Sequence, residues 1–175
     1  WFFRNWLHLG EKLLLAIIAA VAWVFLYPPL EEAKTISFFW IFQTWLVNMF
    51  LMITIAGGLH WYFYIVKGQS KNLKFDRRDL GKGRLWSFSN QVHDNMFWSL
   101  TSGVGQVTVF QVVTMWLLAN DYAPVNYFWG NPVWFFAFFV FLPIWSAFHF
   151  YWIHRFLHIP FFYKRYHSLH HRNVN

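Results

Sequence analysis

The sequence contains no cysteine and few charges, and each shortage removes a class of chemistry. Without cysteine there are no disulfides, no thiolate metal sites and no thiol nucleophile. Any metal must therefore be held by nitrogen or oxygen. Charged residues make up only 12% of the 175 positions while hydrophobic residues make up 58%, more than a soluble domain of this length needs to fill one core. The excess is expected to face lipid. No P-loop, dinucleotide-binding glycine pattern or Ser-His-Asp arrangement is present, and residues 1–10 lack the composition of a cleaved export signal.

What the chain has in abundance is aromatic surface and long apolar runs. Aromatics reach 25%, with 13 Trp and 23 Phe, residues favoured where a bilayer meets water. Four spans are expected, at about residues 13–27, 35–66, 97–119 and 133–153. The first is stopped by Pro28 and Pro29. The second is longer than a span requires and carries Gly57, Gly58 and His60, which predict a tilt, a kink or a protrusion. Residues 67–90 read as a polar loop, and residues 120–132 as a turn-rich connection containing Asp121, Pro124, Gly130 and Pro132. The expected fold is all-α: a polytopic membrane helical bundle forming a single domain over residues 1–175, with a histidine-rich region at 149–175.

Charge orients this bundle. Seven of the 14 Lys and Arg fall between Lys67 and Arg84, and Arg155, Lys164, Arg165 and Arg172 follow the last span. Basic residues near span ends stay on the cytoplasmic side, which predicts both ends of a four-span chain in the cytoplasm. Attraction to anionic headgroups accounts for the net charge of +7 without any nucleic-acid partner. Within the spans, Asn48, Gln106 and Gln111 are expected to hydrogen-bond between helices rather than to line a polar cavity, and Gly103 and Gly105 to permit close helix contact.

Histidine supplies the chemistry. Five of nine fall within 18 residues: His154, His158, His167, His170 and His171. Residues four apart share a helical face, so His154 with His158, and His167 with His171, can each aim two imidazoles at one point, with Pro160 turning the chain between the pairs. Single histidines near membrane ends are commonly solvated. Five at ligand spacing point instead to a metal, and all-imidazole ligation suits iron, zinc, copper or nickel. His149 and His93 are possible further ligands, His60 a weaker one, and His8 reads as interfacial. Two haem-ligating histidines would be expected at mid-membrane depth on facing helices, unlike this cluster.

The stretch YWIHRFLH, Tyr151 to His158, followed by YHSLHHRN, Tyr166 to Asn173, resembles the first two histidine boxes of the sterol desaturase and fatty acid hydroxylase superfamily. The upstream stretch from His93 to Gly103 resembles bacterial members. The resemblance implies a membrane-bound non-heme di-iron centre that hydroxylates or desaturates a lipid, sterol or fatty-acyl in type, using O2 and two electrons. His154, His158, His167, His170 and His171 would then be iron ligands. An electron-donor protein of the reductase, ferredoxin or cytochrome b5 type is implied, because the chain shows no flavin, haem-attachment or iron-sulfur motif of its own. Two departures accompany it: the family's third histidine cluster would lie downstream of Asn175, so the chain is expected to be incomplete, and Ala147 stands where members often place an acid. The alternative is a non-catalytic structural subunit of a larger membrane complex that retains the fold with an incomplete metal site.

Overall fold

The computed structural model describes residues 9–70, 73, 79–123 and 130–171; the side chains of Leu9, Glu11, Lys12, Phe139, Leu169 and His170 are outside that description. The described residues are helical throughout apart from connections, with a single isolated bridge between Lys82 and Asn90. Their contacts fall into two compact units. One contains α1, α2 and most of α3; the other contains residues 79–94, α4 and α5.

Helix α1 (Leu9–Phe25) ends ahead of the two prolines, its last turn closed by Leu26 and Tyr27 N–H groups donating to the Ala22 carbonyl. Its 17 residues reach about 25 Å, short of a ~30 Å hydrocarbon core. A 3-10 turn, Leu30–Lys34, follows. Helix α2 (Phe38–Ile65) therefore starts three residues later than the apolar run itself. The Trp40 indole N–H reaches back to the Thr35 carbonyl at 2.9 Å and ties the entry down. The expected irregularity in this long run takes the form of two π turns, Ile53–Gly57 and Trp61–Ile65, that flank His60. An extra residue in a turn leaves the helix continuous while rotating everything beyond it.

Helix α3 (Gln91–Ala119) begins six residues before the expected span. Its start is set by Asn90, whose side-chain oxygen accepts from the Val92 and His93 N–H groups at 2.8 and 3.4 Å. The loop leading into it is compact. Gln91 is fully buried and its Oε1 accepts from Gly81 N–H; the buried Asp94 carboxylate accepts from Ser87 N–H at 2.9 Å. Gly81 is required here, because a Cβ would lie 2.6 Å from the Trp86 indole nitrogen. Of the basic residues expected in this loop, Lys71, Lys74, Arg77 and Arg78 lie outside the described residues.

Helix α4 (Pro132–Leu157) is capped by Asn131, whose side chain accepts from Trp134 N–H at 3.0 Å, with Pro132 in the first helical position. It runs four residues past the expected span end and so carries His154 within the same rod. Pro160 opens α5 (residues 160–171), whose middle turn, Tyr163–His167, is a π turn.

Three helices, α2, α3 and α4, are long and apolar enough to cross a membrane. Only 17% of the most apolar stretch of α2 and of α3 is buried, and none of that of α4. Soluble proteins do not leave apolar surface on this scale in water. The small core of the first unit is Trp40, Met115, Ala33 and Ala119, flanked by Leu30, Ile41 and Val112.

Polar groups hold the rest of that unit. Asn48 accepts from the Tyr27 hydroxyl at 2.6 Å and donates to Thr108 Oγ1 and Gln111 Oε1, both at 3.0 Å, so the chain just after α1, α2 and α3 meet at one amide. Asn48 and Gln111 thus bond between helices, as expected, although each also edges an apolar cleft, of about 300 and 410 Å³ respectively. Among the described residues, Gln106 bonds within its own helix, donating to Ser102 Oγ at 3.2 Å. Among the described residues of the first unit, Gly103 and Gly105 do not mark a close helix contact: a Cβ on Gly105 would meet nothing within 4 Å, and one on Gly103 would meet the Trp98 carbonyl of the same helix. The approach of α2 and α3 is set by side-chain hydrogen bonding rather than by small residues.

Candidate metal centre

The last turn of α4 presents His154 and His158 on one face, and the turn at Ile159 and Pro160 brings α5 back so that His167 and His171 face them. The four imidazoles each offer one nitrogen, and these four atoms lie within 4.8 Å of one another. The Nε2 atoms of His154 and His158 are 3.1 Å apart. Ring centroids are 4.6 Å apart for His154 and His167, 4.7 Å for His167 and His171, and 5.1 Å for His158 and His171.

These spacings are close to, and at their widest greater than, those a bound ion would require. A metal held at about 2.0–2.1 Å from each nitrogen places tetrahedral ligands ~3.3 Å apart, or square ligands ~3 Å apart along an edge and ~4.2 Å across. The closest pair is already at the short limit. The widest needs ring rotation of roughly half an ångström to one and a half. The donor set is uniform and neutral, so it fits a divalent transition ion and offers nothing to a hard cation such as magnesium or calcium, which takes oxygen.

Burial is graded through the cluster. His167 is buried, His154 and His171 are half-buried, and His158 is exposed. The Nε2 atoms of His167 and His171 are shut off from solvent. The cluster thus has its more buried side on α5 and its more open side at the end of α4.

Other candidate residues lie elsewhere. His149, exposed on α4, stacks on Trp145 with centroids 6.4 Å apart and is not among the converging donors. Nor is His93, exposed in the first turn of α3. His60 stacks on Tyr64 at 5.0 Å, and His8 lies outside the described residues. The backbone of His170 is helical, but its side chain is not among those described. Arg155 donates to the Tyr151 hydroxyl at 2.9 Å, one turn back on the same helix. Comparison with family models, with curated proteins and with solved structures gives no match to this chain.

Sequence reasoning overlooked Tyr163. Its ring lies 5.5 Å from that of His158, 5.7 Å from that of His171 and 6.2 Å from that of His167. The signal was present: Tyr163 precedes His167 by four residues, the interval that separates His167 from His171.

Proposed function

We propose that this chain is a membrane-bound non-heme iron oxygenase that hydroxylates or desaturates a lipid, built like the sterol desaturase and fatty acid hydroxylase superfamily. The observation that carries the reading is the convergence of four imidazoles at the end of a helix apolar enough to cross a membrane. Bound iron would supply the activation of O2 that attack on an unactivated C–H bond requires, with two electrons from a separate donor protein.

The chain's own part is to hold and place. His154, His158, His167 and His171 would hold one ion between them, as neutral ligands that resist oxidation better than thiolates. His170 would serve a second. α4 carries the site to the edge of the bilayer, so that a lipid can approach from within the membrane without first dissolving in water. With four spans, this edge and the basic loop after α2 would both lie on the cytoplasmic side, where a soluble electron donor would have access and a positive surface would speed encounter with an acidic partner.

Elemental analysis of the full-length protein after iron-replete expression, beside an oxygen-uptake assay with lipid and an electron donor, tests the reading. Two irons per chain and lipid-dependent uptake are expected, and His170→Ala should lose one ion together with activity while remaining inserted. Protein with no metal would overturn the oxygenase reading in favour of a structural subunit. For topology, Ser70→Cys and Val125→Cys should label from opposite sides of the membrane; labelling from one side would refute the four-span arrangement.

A further inference from the structure

Two short ladders of rings face one another at the cluster. On α4 the ladder is Phe150, His154, His158; on α5 it is Tyr163, His167, His171. Each step is four residues, which at 3.6 residues per turn overshoots a full rotation by about 40°. A ladder of three rungs on an ordinary helix would therefore drift by roughly 80° from first to last. On α5 the wider π turn, Tyr163–His167, opposes that drift before the α turn Ser168–His171 resumes it. Tyr163 consequently stays on the side that carries both histidines.

The two leading rungs are not equivalent. Phe150 is exposed and touches the cluster only at His154, with centroids 5.3 Å apart and rings tilted by 30°. Tyr163 is half-buried and crosses to the other helix, lying against His158 at 5.5 Å and 28°, closer to parallel than to any of the other cluster rings it meets. His158 is the residue that most needs such support. It is the exposed member of the four and follows the last residue of α4, where its own N–H is shared between the His154 and Arg155 carbonyls, each at 3.2 Å. Burial does not restrict this imidazole, which is set by its neighbours: the His154 Nε2 at 3.1 Å and the rings of Tyr163, His167 and His171.

We propose that Tyr163 is a positioning residue for the metal centre: its ring face holds the His158 imidazole in the orientation that completes the four-nitrogen set. The inference rests on the reading of the four histidines as a metal site. The ring acts by removing rotational freedom from His158 before the ion arrives, so that less is lost on binding. The hydroxyl has no part in this contact.

Cobalt(II) is a suitable probe, because its visible absorption reports the number and arrangement of nitrogen ligands. The full chain in detergent micelles would be titrated as wild type, Tyr163→Phe, Tyr163→Leu, Tyr163→Met and His158→Ala, with helicity measured on each sample. Tyr163→Phe should match wild type in affinity and spectrum. Tyr163→Leu and Tyr163→Met, which keep bulk but not a flat face, should bind roughly tenfold more weakly, in line with the loss of a ligand-orienting neighbour. Their cobalt spectra should shift toward that of His158→Ala.

Leu and Met variants with wild-type affinity and spectrum would overturn the role of Tyr163 and leave the metal site standing. Weakened binding with an unaltered spectrum would also overturn it, since lost folding stability lowers affinity without changing the ligand set. A Tyr163→Phe variant as weak as Tyr163→Leu would assign the effect to the hydroxyl and refute the ring contact. Wild-type protein that binds no cobalt would remove the metal reading itself.

Discussion

The two units each gather polar side chains next to apolar helices, and they do so in opposite ways. At Asn48, donors meet acceptors: a tyrosine hydroxyl gives to the amide oxygen, and the amide nitrogen gives to a threonine and a glutamine. The set satisfies itself and adds nothing further. At His154, His158, His167 and His171, four groups of one kind converge, each offering a ring nitrogen within 4.8 Å of the others. A self-complementary network is glue between helices; a gathering of like donors would, under the proposed reading, receive a cation.

That contrast can be broken by exchanging what is removed. The largest effect is expected for His167→Ala, which deletes the most buried of the four nitrogens. Metal affinity should fall by at least ~100-fold, roughly 2.7 kcal/mol or more, while helicity and membrane insertion stay unchanged; a competition titration with a coloured chelator reads the loss. Asn48→Leu should do the reverse. Three interhelical bonds at ~0.6 kcal/mol each amount to about 2 kcal/mol of stability, measurable as an earlier unfolding midpoint in mixed micelles, with metal affinity within twofold of wild type.

Smaller effects sharpen the comparison. Asn131→Ala removes the side-chain cap of α4 and should cost about 1 kcal/mol, read as lower thermal stability without a change in metal stoichiometry. Gly105→Ala is expected to raise stability by about 0.5–1 kcal/mol, the ordinary gain of alanine over glycine inside a helix, because the new methyl group meets open space. A loss of several kcal/mol there would show that Gly105 faces another helix after all.

The sequence spoke most clearly where its signal was local. Pro28 and Pro29 set the end of α1 through the geometry of two residues, and the histidine pairs followed from four-residue spacing alone. The α2 and α3 helices begin three residues after and six residues before the expected spans, because hydropathy marks where a chain becomes apolar while capping groups mark where a helix begins. Gly103 and Gly105 misled for a related reason: composition shows that a close approach is permitted at a position, and only packing shows whether a neighbour uses it. Tyr163 went unread because a tyrosine in an aromatic-rich chain carries no distinguishing signal until a π turn places it among the imidazoles.

Every one of the four converging ligands lies between His154 and His171, a stretch of 18 residues. The loop closed between His158 and His167 is short, and closing it costs little chain entropy because that cost rises only with the logarithm of length. Contacts this local form on the microsecond scale of helix and small-loop closure, far ahead of the docking of distant spans. If these imidazoles hold an ion, as proposed, all four would be available to it as soon as His171 has emerged from synthesis, with no more distant part of the chain needed to bring them together.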